Sequence, residues 1–288
     1  TAPAEPFQQT IAIACRFTWE CVENEPCTET ELTPAITRPA GGAGADALEG
    51  GSGEDIADYS GSSAGVQVNL SGGAGVGGDA QGDTYSSIED ITGSDHADVL
   101  TGDASANTIR AGAHNDSLSG LAGDDQLFGE AGDDTLEGGQ GNDLLNGGVG
   151  GSDTASYVNS SVAVQVDLGA GSGSGGDAQG DTLVDIENVD GSAQGDTLTG
   201  STGDNIIRGF AGGDVLVGGD GVDTLEGGTG IDTLQGGAGA DALDGGDDVD
   251  TASYADAGAA VTVSLASGTG TGDIAQGDML TNIENLTG

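Results

Sequence analysis

The fold class this sequence predicts is an all-β solenoid of short parallel strands coiled around a narrow apolar core. Three observations predict it. Asp98, Asn107, Asp116, Asp125, Asp134 and Asp143 fall nine residues apart without a slip. Two places after each stands an aliphatic: Leu100, Ile109, Leu118, Leu127, Leu136 and Leu145. Ahead of each acid lies a glycine-rich six-residue turn, as in Gly138-Gly139-Gln140-Gly141-Asn142-Asp143. A fixed short period of this kind dictates architecture before any single strand is considered.

Each part of the unit has a physical job. Glycines at turn positions one, two and four let the chain bend sharply, because glycine alone enters positive φ at little cost. The remaining three residues, x-Leu-x, point one side chain inward between two outward ones. One unit cannot bury its leucine, but two units, eighteen residues, close a flattened coil. Coils stacked about 4.8 Å apart pair their backbones and pile leucine on leucine. The stacking lines up Asp98, Asp116 and Asp134 on one edge and Asn107, Asp125 and Asp143 on the other. Carboxylates about 5 Å apart repel by about 3 kcal/mol per pair at an effective dielectric near ~20. Something positive has to sit between them. Asp carboxylates and turn carbonyls are hard oxygen donors, a set that suits Ca²⁺ better than Mg²⁺ or Zn²⁺.

The unit GGxGxDxLx resembles the nonapeptide of the RTX (repeats-in-toxin) calcium-binding family, whose repeats hold Ca²⁺ in a parallel β-roll. Complete turns stand at Gly41–Asp46, Gly50–Asp55, Gly138–Asp143, Gly218–Asp223, Gly227–Asp232 and Gly236–Asp241. The resemblance covers most of residues 41–288. It implies multiple Ca²⁺ ions held by sixth-position acids. In the first half these are Asp46, Asp55, Asp98, Asp116, Asp125, Asp134, Asp143 and Asp153; in the second, Asp196, Asp214, Asp223, Asp232, Asp241 and Asp250. It also implies ligation by carbonyls of the turn glycines Gly42, Gly44, Gly139, Gly141, Gly219, Gly221, Gly228, Gly230, Gly237 and Gly239. Export, with folding triggered outside the cell, is implied as well. The turns Gly93–Asp98, Gly102–Asn107 and Gly200–Asn205 depart from the pattern, lacking glycines or replacing the Asp.

Composition bounds the function. The chain carries 49 acids against four arginines, no lysine, 58 glycines and a net charge of −45. Such a balance with few aromatics ordinarily predicts disorder. The nine-residue phasing converts that into a conditional expectation: unfolded without Ca²⁺, folded with it, because metal-binding energy becomes folding energy. Nucleic acid is excluded as a partner, since its phosphates would meet a strongly negative surface. No apolar run approaches the roughly 20 residues that a membrane-spanning helix needs.

Taken in order, residues 1–40 form a separate N-terminal segment holding all three cysteines and the only Trp. Ile11, Ile13, Cys15, Phe17, Trp19 and Cys21 alternate with small or polar residues, which predicts a strand with one apolar face. It reads as a cap on the first coil or as a strand that pairs with another subunit's edge. Cys15, Cys21 and Cys27 cannot all pair, leaving a free or intermolecular thiol. Ala2-Pro3-Ala4 has the small-x-small form of a signal-peptidase site.

Residues 41–288 form the solenoid, in long units 41–92 (partial), 93–190 and 191–288. Asp55-Ile56-Ala57-Asp58-Tyr59 recurs as Asp153–Tyr157 and Asp250–Tyr254, at offsets of 98 and 97. After each Tyr comes an alternating strand such as Val164-Gln165-Val166-Asp167-Leu168. Next follow a glycine-rich loop, the motif Gly78–Asp83 (Gly176–Asp181, Asp273–Asp278), and Ile88-Glu89-Asp90-Ile91 or its equivalents. These inserts read as wider coils that interrupt the nonapeptide runs without breaking the stack. Their acids Asp83, Asp181 and Asp278 are either further Ca²⁺ ligands or solvated turn acids. The second run places Asp196, Asn205, Asp214, Asp223, Asp232, Asp241 and Asp250 over Leu198, Ile207, Leu216, Leu225, Leu234 and Leu243. Each run has one Asn in its second slot and one arginine, Arg110 or Arg208, shortly after; each arginine reads as an acid partner or as an ordinary surface residue.

No catalytic constellation accompanies the repeat. His96 and His114 replace turn glycines and have no Ser or Cys partner in register, and no enzyme activity is expected. The functional expectation is a secreted, calcium-dependent structural component: a surface adhesin, filament or matrix protein. Self-association through the N-terminal strand, the odd cysteine and an open solenoid end is expected with it, because the sequence stops where a further run should begin. The rival is the noncatalytic secretion and folding tail of a larger secreted hydrolase or epimerase. Ice or polysaccharide binding needs an outward Thr column, and the third turn position runs Ala43, Ser52, Ala122, Ala131, Gln140, Asp220, Thr229, Ala238.

Overall fold

The computed structural model describes residues 36–288. The predicted strand at 11–21 and the three cysteines lie outside the described residues.

Among the described residues the regular elements are 27 short strands and three single 3₁₀ turns, with no α-helix. The strands form a 12-stranded sheet, a 13-stranded sheet and a two-stranded pair, Ala47–Glu49 with Thr84–Ser86. Through the nonapeptide runs, consecutive strands fall alternately in the two large sheets, so each coil contributes one strand to each. Pairing is parallel with an 18-residue register: Leu136 lies beside Leu118, and Leu234 beside Leu216. The core is a single column between the sheets, with Leu118, Leu127, Leu136 and Leu145 at 1 % exposure or less.

Val99–Thr101, Thr197–Thr199 and Ile206–Arg208 keep to the predicted three residues, but the later strands of each nonapeptide run reach five or six. Thr135–Gln140 includes the first three residues of the following turn, and its pairing with Ser117–Ala122 skips only Gly138. The chain bends there and resumes pairing, with Gly139 at φ 93°. Side chains other than glycine occupy this left-handed corner at Leu121 (φ 79°), Glu130 (φ 72°) and Phe210 (φ 70°).

The inserts preserve the stack, as expected, but they are not wider coils. After Thr154–Ser156 the chain runs forward to Gln165–Asp167, doubles back through Ser172–Ser174, and returns as Thr182–Val184. The forward strand pairs in parallel with Thr197–Thr199, the returning one with Leu144–Gly148, and the middle one is antiparallel to both. This S-shaped excursion lies in the 13-stranded sheet, whereas the excursion from Thr262 to Thr281 lies in the 12-stranded sheet. The first insert also enters the 12-stranded sheet, through Gln67–Asn69. Successive inserts therefore add their strands to alternate large sheets.

Candidate metal-binding ladder

The sixth-position acids are interior groups. Asp116, Asp125, Asp134 and Asp143 are at most 4 % exposed, and Asp214, Asp223, Asp232 and Asp241 at most 1 %. Each sits in a vertical chain of hydrogen bonds along its edge. The Asp98 N–H donates to Asp116 Oδ1 (2.7 Å), and the Asp116 N–H to Asp134 Oδ1 (2.8 Å). The Asp134 N–H in turn donates to Asp153 Oδ1 (2.8 Å), nineteen residues on, so the turn before Asp153 absorbs one extra residue without breaking the ladder. The second run repeats this from Asp214 to Asp232 and from Asp232 to Asp250, both at 2.8 Å. The opposite edge carries Asp125 to Asp143 and Asp223 to Asp241.

One oxygen of each carboxylate is thereby used. The other is not. Asp55, Asp116, Asp125, Asp134, Asp143, Asp214, Asp223, Asp232, Asp241 and Asp250 each bury an Oδ2 that accepts no hydrogen bond. A buried, unpartnered carboxylate oxygen is among the costliest groups a protein can hold. Burial foremost pushes Asp116, Asp125 and Asp214 up to about 7 and Asp143, Asp153 and Asp223 up to about 6; the ladder N–H opposes that rise and nearby carboxylates reinforce it. Backbone oxygens face the same space. A Cβ at Gly120 would strike Asp125 Oδ2 and lie 2.7 Å from the Gly138 carbonyl oxygen. Gly227 has the same relation to Asp232 and Gly245. No three His, Cys, Asp or Glu side chains converge among the described residues. The donor set is one carboxylate with carbonyls, all hard oxygens.

The family model described as RTX calcium-binding nonapeptide repeat (4 copies) matches residues 40–59, 92–127, 119–153, 190–225 and 217–252, just over half of the chain. The chain belongs to the RTX calcium-binding nonapeptide repeat family. No curated protein matches it. RTX repeats bind Ca²⁺ at multiple sites and build a β-roll, which accords with the parallel sheets and the ladder. The unpartnered Oδ2 atoms and the glycine-lined space beside them fit the ion. Bound there, Ca²⁺ supplies the positive charge that these oxygens lack.

The RTX signature does not apply evenly to the predicted ligands. Asp46 is only half-buried near the start of the described chain, beside Gly42 and Gly44, and its N–H donates to Asp83 Oδ1 (2.8 Å). Asp98 and Asp196 differ from the other ladder acids: both oxygens of each accept hydrogen bonds from a neighbouring serine and another backbone N–H. Gly141, Gly221, Gly230 and Gly239 are glycine because a Cβ would strike the carbonyl of Gly123, Gly203, Gly212 or Gly221 one coil below. Gly139, Gly219, Gly228 and Gly237 combine positive φ with a similar approach. Asp83, Asp181 and Asp278 are not solvated turn acids: they are at most 3 % exposed. Sequence reasoning left their partners unassigned. The Tyr59, Tyr157 and Tyr254 hydroxyls donate to their Oδ2 atoms at 2.9, 3.0 and 3.0 Å. It also left unassigned Glu89, Glu187 and Glu284, whose Oε2 atoms accept the N–H of Asp55, Asp153 and Asp250, each at 2.9 Å. The usable signal was a constant offset in all three inserts, 24 residues for Tyr–Asp and 34 for Asp–Glu.

Proposed function

We propose that this chain is an extracellular structural rod: a calcium-dependent β-solenoid exported unfolded and set by Ca²⁺ outside the cell. The observation that carries the reading is the set of ten buried, unpartnered carboxylate oxygens in two vertical columns. Where Ca²⁺ is scarce, mutual repulsion and desolvation oppose closing the coils. Where Ca²⁺ is abundant, the same oxygens bind it and the binding energy becomes folding energy. The outer faces support a scaffold role, since their ion pairs link neighbouring coils. Arg208 joins Asp190 and Glu226, one coil below and one above, at 3.1 Å each. Arg110 lies 4.1 Å from the Phe128 ring centre and 3.4 Å from Glu130. The rods self-associate end to end through the N-terminal segment and its odd cysteine, forming a filament, adhesin or matrix component.

The test is circular dichroism of the full chain in excess Ca²⁺ and in excess EGTA. A β spectrum in Ca²⁺ that collapses in EGTA is expected; an unchanged spectrum overturns calcium-driven folding. Sedimentation of the Ca²⁺ form over a concentration series then reads joining, with a larger coefficient expected at higher concentration. A constant monomeric value removes the end-to-end component.

A further inference from the structure

Asp83, Asp181 and Asp278 within the inserts, and Asp98, Asn107, Asp196 and Asn205 in the coils directly after the first two, bury no unpartnered Oδ2, and in each a hydrogen donor of the chain takes the ion's place. We infer that these layers are calcium-free locks, which divide the calcium column into separate blocks. The inference rests on calcium binding by the intervening coils and not on the extracellular role.

Three chemistries build the locks. In the Tyr lock, the Asp181 Oδ1 accepts the Asp143 N–H (3.0 Å) as any ladder acid does, while Tyr157 O–H donates to Oδ2 (3.0 Å). Burial and the adjacent carboxylate push the Tyr157 phenol up, so it stays a donor. Tyr59–Asp83 and Tyr254–Asp278 repeat the arrangement. In the Ser lock, Asp196 Oδ2 accepts the Ser192 N–H (2.6 Å) and Oδ1 accepts the Ser192 hydroxyl (2.9 Å). Ser94 does the same for Asp98. In the amide lock, Asn205 Oδ1 accepts the Ser201 N–H and its Nδ2 donates to the Glu187 carbonyl, both 2.6 Å. Asn107 donates likewise to the Glu89 carbonyl (2.6 Å).

The locks are not scattered. Every insert contains a Tyr lock, and the first coil after each of the first two inserts carries a Ser lock on one edge and an amide lock on the other. Beyond that coil the unpartnered Oδ2 atoms begin at Asp116 and again at Asp214. An ion beside Asp181 or Asp196 would have to displace a donor already bonded to the carboxylate. Beside Asn205 it would meet a neutral amide whose hydrogens point at the carbonyl it would need.

Native mass spectrometry of the full chain in Ca²⁺, comparing wild type with Asp214→Asn, Asn205→Ala and Tyr157→Phe, tests this. Asp214→Asn, which changes an acid whose Oδ2 is unpartnered, should lose an ion, and neither Asn205→Ala nor Tyr157→Phe should lose one. Loss of an ion in either of those two, or no loss in Asp214→Asn, overturns the assignment. Wild-type crystals grown in Ca²⁺ and measured for anomalous scattering supply a check that needs no variant to fold. Peaks are expected beside Asp116 and Asp214 and none beside Asp181, Asp196 or Asn205. A peak at any of the last three overturns the locks; a map with no peak beside Asp116 or Asp214 overturns calcium-driven folding as well.

Discussion

A ladder aspartate is held by one oxygen and left wanting at the other, and this sets how the chain answers pH. Burial raises Asp116, Asp125 and Asp214 from an ordinary 3.8 to about 7. A carboxyl whose folded pKa is raised favours the metal-free fold below its unfolded value, and that contribution is lost as pH rises through the folded one. In EGTA the chain should therefore gain β signal on acidification from pH 8 to pH 5, as protons stand in for the ion. Calcium affinity should fall over the same interval. Circular dichroism in EGTA at both values reads the first effect, and no gain at pH 5 would remove burial as its cause. The left-handed corners give a second expectation at this scale. Leu121 pays for φ 79° with its side chain 41 % exposed. Leu121→Gly should stabilise the Ca²⁺ form by about 1 kcal/mol, read as a rise in melting temperature, and a fall would mean the exposed leucine has a partner.

A single strand works by its one inward side chain. Leu234 is fully buried and stacked on Leu216, while Ile231, three residues earlier, is 71 % exposed. Leu234→Ala should cost ~2–5 kcal/mol and Ile231→Ala less than ~0.5 kcal/mol in thermal melts with saturating Ca²⁺. Equal losses would contradict a core confined between the sheets. This layer was legible in the sequence, because each nonapeptide repeats the same local chemistry and each copy corroborates the next. Leu100, Ile109, Leu118, Leu127, Leu136 and Leu145 are all buried as the period requires. The locks were visible only as spacing. That Tyr157 belongs to Asp181, or Glu187 to Asp153, depends on where an excursion returns the chain, and no nine-residue pattern encodes that return.

Across the whole molecule each coil touches only the coils above and below, so stability is close to a sum of nearest-neighbour terms. Removing residues 215–232 deletes one complete 18-residue coil and leaves Asn205 facing Asp241 in the register that Asp223 held. The shortened chain should keep its Ca²⁺-induced β spectrum, and loss of that spectrum would show the coils to be less interchangeable than their pairing. The doubling-back of the inserts was not legible. Strand Ser172–Ser174 is antiparallel, short and glycine-centred, and nothing in Ser-Gly-Ser announces its direction.

Since the second insert doubles back in one large sheet and the third in the other, the two are displayed on opposite flanks, as leaves alternate on a stem. A binder raised against the hairpin turn Leu168–Gly171 and its counterpart near Ser267 would seize the rod from left and right by turns. Two bodies carrying such a binder would then be held apart across its width, so a single chain could act as a bridge.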